Sequence, residues 1–198
     1  MVLAMFLSGA AAFAAPPGLR DPDWPCEQIK VSQLDLAQVW TGPQVDVQNT
    51  DWQHDQVVAD LVHEIAQRRL SLDEAEAKVR TFAQQAGAER QQKLLELVAG
   101  LFSVLDAERG QVIAGLDRFG ARQRELADGL REDNEKLRQM QAQTSADAGQ
   151  LNQLTQKVTW EAEVFQDRRQ ALRYACDVPN KIEQRLFSLA RFIQQELK

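Results

Sequence analysis

Residues 94–140 read LLELVAGLFSVLDAERGQVIAGLDRFGARQRELADGLREDNEKLRQM, and apolar side chains recur in them at steps of three and four: Leu94, Val98, Leu101, Leu105, then Val112, Leu116, Phe119, and later Leu126, Leu130, Leu137 and Met140. Those steps keep a stripe of side chains on one side of a 3.6-residue helix, the pattern of a helix that lies along other helices. The stripe predicts one long helix from Ala88 to Gln143, about 80 Å at 1.5 Å per residue. Between Leu105 and Leu116 the steps run three, four and four through Glu108 and Val112, an eleven-residue insertion that relaxes a left-handed supercoil. Gly100, Gly110, Gly115, Gly120 and Gly129 lie along the same stretch and are read as clearance for close helix packing, at about 1 kcal/mol each relative to Ala, with a hinge or break near Gly110 the alternative.

The next stretch, Thr144 to Gly149 (TSADAG), is a turn with several capping residues, and Leu151, Leu154, Val158, Phe165 and Leu172 then repeat the heptad. A turn between Ser145 and Ala146 brings the two stripes face to face. Met140 then meets Leu151, Leu137 meets Leu154, Leu126 meets Phe165 and Phe119 meets Leu172, with Asp133 opposite Val158 the one poor match. The fold class expected is all-α: an elongated helical bundle (51–198) with a long antiparallel coiled-coil hairpin as its arm, over about 117–175.

Two helices precede the long one. Thr50-Asp51-Trp52-Gln53 has the form of a capping box and predicts a helix from Asp51 to Arg69, burying Trp52, Val57 or Val58, Leu61, Val62 and Ile65. Ser71-Leu72-Asp73-Glu74 is a second such box, opening a helix with Leu72, Ala75, Val79, Phe82 and Ala86 on one face; Gly87 is a candidate stop, with a helix continuous through it the alternative. After the hairpin, Asp177-Val178-Pro179 reads as a cap and an early-helix proline. The last helix, Asn180 to Leu197, carries Ile182, Leu186, Leu189, Ile193 and Leu197, widened by Phe187 and Phe192. Lys181, Arg185 and Arg191 make membrane-surface contact an alternative for it, but Glu183 and Glu196 temper that charge and core packing is favoured.

At the front, residues 1–14 (MVLAMFLSGAAAFA) carry no charge, and Ala12 and Ala14 fit the small-residue pattern of a signal-peptidase site. The basic residues that usually precede such a run are missing. Export to the periplasm or beyond is expected nonetheless, since a run of this length is short for the roughly 20 residues of a membrane span. Residues 15–50 follow as an extended, proline-rich segment with Trp24 as its apolar anchor and a short helical turn at Leu34 to Trp40. The chain has two cysteines, Cys26 and Cys176. In an oxidising compartment an even pair is most simply a disulfide, here one that pins the N-terminal segment against the start of the last helix.

The net charge is −6 and the sequence pI about 5.0. Without a concentrated basic stripe, nucleic acid is not an expected partner. His54 and His63 lie nine positions apart, on nearly opposite sides of a helix, and Asp60-x-x-His63 has no second copy. No phosphate-loop, nucleophile-elbow, zincin or haem motif occurs. No catalytic residue, metal or cofactor is therefore expected. The four tryptophans are Trp24, Trp40, Trp52 and Trp160. Trp24 and Trp160, with Asp133 in the hairpin and Met140 at its tip, are the candidate interaction surface; a ligand cavity near Trp52, His63 and Trp160 is the alternative. The Trp24-Pro25-Cys26 segment and the stretch from Ala175 to Phe187 loosely resemble uncharacterised exported helical proteins of Gram-negative bacteria, a resemblance that implies export but no activity. The expected function is a non-enzymatic exported protein that binds another protein, or itself, through its arm.

Overall fold

A computed structural model describes residues 21–198. The expected signal peptide at 1–14 and the first residues of the proline-rich segment lie outside that range. Six helices follow in order: α1 Leu36–Val39, α2 Gln56–Ala66, α3 Leu72–Gln85, α4 Arg90–Gln141, α5 Ala148–Cys176 and α6 Val178–Glu196. Among the described residues there is no strand. The all-α class and the elongated bundle are thus as the sequence indicates.

The axis is α4, an unbroken helix of 52 residues, about 78 Å long. It runs straight through Gly110; the break falls at Gly87, whose φ of +55° opens a single 3-10 turn, Gly87–Glu89, between α3 and α4. A positive φ is open to glycine without a Cβ penalty, which is why the chain turns there. The first half of α4 sits in the core. Leu94, Leu97, Val98, Leu101 and Leu105 are buried against Val58, Val62 and Ile65 of α2 and Ile182, Leu186, Leu189 and Ile193 of α6. The α3 helix packs chiefly on α6, through Ala75, Val79, Phe82 and Ala83.

Four local expectations need correction. The Thr50 box does not form: residues 51–54 make a turn that lowers Trp52 into the core, the Thr50 hydroxyl donates to the Asp46 carbonyl, and α2 begins at Gln56 with Asp55 as its cap. The helix also stops at Ala66, so Arg68 lies beyond it and pairs instead with Glu108 of α4 at 3.2 Å. Before α6 the Asp177 side chain makes no cap bond, because Asp177 itself is helical and α5 leads almost directly into α6. On α6 Phe187 faces outward with Arg191 over its ring, whereas Phe192 packs on the core. The Ser71 box, by contrast, forms as a reciprocal pair: the hydroxyl accepts from the Glu74 N–H and the Glu74 carboxylate accepts from the Ser71 N–H.

Glycine and arginine set the close contacts. A Cβ on Gly100 would stand 2.6 Å from a Val62 methyl and 2.8 Å from the Trp52 ring, so α2 approaches α4 more closely than any larger residue allows. Arg185, one of the three basic residues behind the membrane-surface alternative for this helix, is buried. Its Nε and Nη2 donate to the Ile65 carbonyl at 2.9 and 2.6 Å, and its Nη1 to the Leu70 carbonyl at 2.9 Å. It closes the C-terminal end of α2, whose last carbonyls have no helical partner. Burial lowers its pKa from the usual arginine value, and the nearby Glu108 opposes that shift.

Two outcomes follow. Arg185→Met leaves the Ile65 and Leu70 carbonyls buried without donors, and urea unfolding should record a loss of about 2–4 kcal/mol. Asp55→Ala removes the α2 cap, for about 1 kcal/mol at neutral pH. Lys93 and the N–H groups of Val58 and Val57 hold the Asp55 carboxyl below its usual range. Its contribution is therefore complete above the unfolded value near 3.9 and vanishes as pH falls through the depressed folded value, so the gap between wild type and variant should close in acid.

Candidate interaction arm and its clasp

Beyond Leu116 the long helix leaves the body, is crossed by the N-terminal segment at Gly120, and from there on pairs with α5. Along this arm the stripe residues Leu126, Leu130, Leu137, Leu151, Leu154, Val158, Phe165 and Leu172 are each half-buried, and from 121 to 175 no side chain is fully buried. Two helices enclose each other's stripe on one side alone, so the flanks stay open. The pairing is antiparallel, as the register predicts. Gln123 donates through its side-chain amide to the Phe165 carbonyl at 2.9 Å, and Lys157 meets Asp133 at 2.5 Å and Glu161 at 3.7 Å. Asp133 stands within one position of its expected place opposite Val158, and its charge is taken up by Lys157. Hydrogen bonding to Asp133 raises the Lys157 pKa above the usual lysine value. Such an exposed pair contributes little stability, but it marks one register of the two helices.

The base of the arm is held by the N-terminal segment, which crosses α4 as a strap. Gly120 is where it crosses: a Cβ there would lie 1.9 Å from the Asp23 carbonyl oxygen. Arg124 pairs with the Asp23 carboxylate. Lys30 lies between Asp21 at 2.6 Å and Asp117 at 2.8 Å, and the hydrogen bonds it donates to Asp117 and then to Asp21 raise its pKa. Trp24, half-buried, donates its ring N–H to the Gln28 carbonyl at 2.7 Å and lies under Lys30. It is the anchor of the strap rather than a free surface. The Cys26–Cys176 disulfide, with Cα atoms 5.7 Å apart, ties the strap to the end of α5. The Gln28 side chain adds a hydrogen bond to the Cys176 carbonyl.

Deeper in, Arg109 is 3% exposed. Its Nη1 donates to the Val31 carbonyl at 2.7 Å, while its Nε meets Glu183 of α6 at 2.6 Å. The sequence stripe was drawn through Glu108 and Val112, whereas the buried positions are Arg109 and Ile113. From Leu105 a step of three leads to Glu108 and Val112, whereas steps of four lead to Arg109 and Ile113. Both candidates at that turn, Glu108 and Arg109, are charged, so apolar spacing does not choose between them, and the step of three places the inward face one residue early. Clearance is likewise the role of two of the five glycines, Gly100 and Gly120; a Cβ on Gly110 or Gly129 would meet nothing within 4 Å.

The remaining candidates are placed as follows. Met140 is half-buried near the tip of the arm. Trp160 is 64% exposed on α5, and Tyr174, not singled out in the sequence, is 73% exposed. Trp52 lies beneath Gly100 with His63 edge-on, the ring centres 5.8 Å apart. Trp160 stands level with residues near 130, roughly 45 Å along α4 from Gly100. The structure does not bring Trp160 together with Trp52 and His63. His54 pairs with Asp51 on the surface. No group of three potential metal ligands occurs among the described residues, nor any arrangement that indicates catalysis. No described helix is long and apolar enough to cross a membrane. An open cleft of about 830 Å³ flanks the disulfide, lined by Gln28, Gln166, Arg169 and Arg173 among others. A shallower groove of about 460 Å³ lies between α2 and α3, against Val57, Leu61 and Phe82. Comparison with protein-family models, characterised proteins and solved structures finds no match to this chain.

Gly120→Val should lift the strap from α4. Hydrogen exchange over residues 21–34 is expected to accelerate while exchange in α2, α3 and α6 stays as in wild type.

Proposed function

We propose that the protein is a non-enzymatic, exported helical scaffold whose arm is its protein-interaction element. The observation that carries this reading is the contrast along α4. Its first half buries Leu94, Leu97, Leu101 and Leu105 almost completely, whereas the arm repeats the same apolar spacing with every stripe residue left half-exposed. Apolar surface kept in a regular stripe on a clamped helical pair is what a partner helix buries. Trp160 adds an exposed aromatic of the kind that anchors interfaces.

Export is supported by the Cys26–Cys176 bridge, since structural disulfides persist in oxidising compartments, and by the apolar run at residues 1–14. An interaction role also accords with the way the base is built. The disulfide and the strap sit where the arm leaves the body, so the arm projects in a set direction without restraint along its own flanks.

Site-specific photo-crosslinking from arm positions in the native periplasm tests the reading, with positions in the α3–α6 face as control. Adducts are expected from the arm alone. Leu126→Asp or Phe165→Asp should abolish them while the body keeps its unfolding midpoint; Leu101→Asp should unfold body and arm together, by about 4 kcal/mol or more. Adducts that survive Leu126→Asp, or none from any arm position, would remove the basis for the reading.

A further inference from the structure

The N-terminal strap is held in two different ways along its length. At its inner end the hold is buried: the Arg109 guanidinium, 3% exposed, donates to the Val31 carbonyl at 2.7 Å, and the Leu34 N–H donates to Asp106 at 3.1 Å. Residues 21–30 have no such hold. None of their side chains is buried, and Ile29, their one aliphatic residue apart from proline, is 87% exposed. Their side-chain contacts with α4 are two ion pairs, Lys30 with Asp117 and Arg124 with Asp23, in which all four side chains are partly open to water. A pair of that kind shifts an equilibrium by about fivefold at most. What fixes the outer strap is therefore the Cys26–Cys176 bond, with the hydrogen bond that the Gln28 side chain donates to the Cys176 carbonyl.

That bond can be reached without opening the core. Cys26 is partly exposed, and both cysteines line the cleft of about 830 Å³ beside the strap. The α5 wall of the cleft is made of Gln166, Arg169, Gln170 and Arg173, all exposed. Exchange at a disulfide is governed by access to the sulfur, and exposed bridges are the labile ones. A bridge that carries most of the hold on a segment with little apolar burial of its own therefore lies on an open, polar cleft.

We propose that Cys26–Cys176 is a redox-operated latch, opened by a dithiol oxidoreductase that enters through this cleft. A thiolate of the oxidoreductase attacks the Cys26 sulfur, the bond to Cys176 breaks, and Cys176 leaves as a thiolate that takes a proton from water. The second thiol of the oxidoreductase then attacks the mixed disulfide and releases Cys26, so the chain gains two thiols and the oxidoreductase becomes a disulfide. Residues 21–30 swing out about Val31, which Arg109 retains, and uncover α4 from Asp117 to Arg124, where the body passes into the arm. The apolar core contains none of residues 21–30 and stays closed. The latch operates whether or not the arm binds a partner.

Reduced thioredoxin acting on the full chain without denaturant tests it. Alkylation and mass spectrometry are expected to find both thiols free while circular dichroism shows unchanged helix. Trypsin should then cut after Lys30 roughly tenfold faster or more. Hydrogen exchange should accelerate over residues 21–30 while the Leu34 amide keeps its rate, and reoxidation should restore the slow rates. The Cys26→Ser/Cys176→Ser double variant should show the fast rates with or without thioredoxin. Reduction that appears only at urea concentrations that unfold the body makes the bond a structural staple and overturns the proposal. So does a reduced chain cut after Lys30 no faster than the oxidised one, or one that loses helix throughout.

Discussion

The constraint on which the molecule depends is the burial of the Arg109 guanidinium. A cation taken out of water must find compensating partners, and here they come from opposite ends of the chain: the Val31 carbonyl of the N-terminal strap and the Glu183 carboxylate of α6. Both must be in place before the middle of α4 can be covered. The strap is then led across Gly120, where Asp23 leaves no room for a side chain, and the Cys26–Cys176 bridge closes it onto the end of α5. A segment with only one helical turn of its own is held by this series of contacts, and the arm acquires a defined base.

Stability is distributed unevenly as a result. The body combines a continuous apolar core with Arg185, which satisfies the carbonyls at the end of α2 from within. The arm has half-buried contacts and exposed ion pairs such as Arg131–Asp128 and Arg138–Glu135. Ion pairs of that kind add only tenths of a kcal/mol, so the arm depends on its stripe and on the clasp at its base. The two halves of α4 share one backbone and one apolar spacing but differ in how many neighbours enclose them. That difference buries the stripe in the body and leaves it partly exposed along the arm.

Charge follows the same division. Excess acid is confined to the body, while the arm alternates signs and sums to zero. Between Arg138 and Lys157 the tip carries a single charge, Asp147, which caps α5. An acidic body resists close approach of its like, whereas a neutral arm adds no net repulsion.

Much of the design was legible in the chain. The spacing from Leu94 to Met140, the turn at 144–149 and the returning heptad determined one long helix and an antiparallel hairpin, because 3.6-residue periodicity is a local property and register follows once two stripes must face each other. The Ser71 box and the pairing of two distant cysteines were local or combinatorial in the same sense, whereas Gly87 offered a stop and a continuous helix alike. Tertiary structure decided the rest. Whether Thr50 or Asp55 opens α2 depended on Trp52 reaching the space beside Gly100. Whether Glu108 or Arg109 faces inward depended on a strap and a sixth helix arriving with a carbonyl and a carboxylate. Arg185 turned inward for the carbonyls of a helix more than a hundred residues earlier. Polar burial is settled by partners distant in sequence, and periodicity carries no record of them.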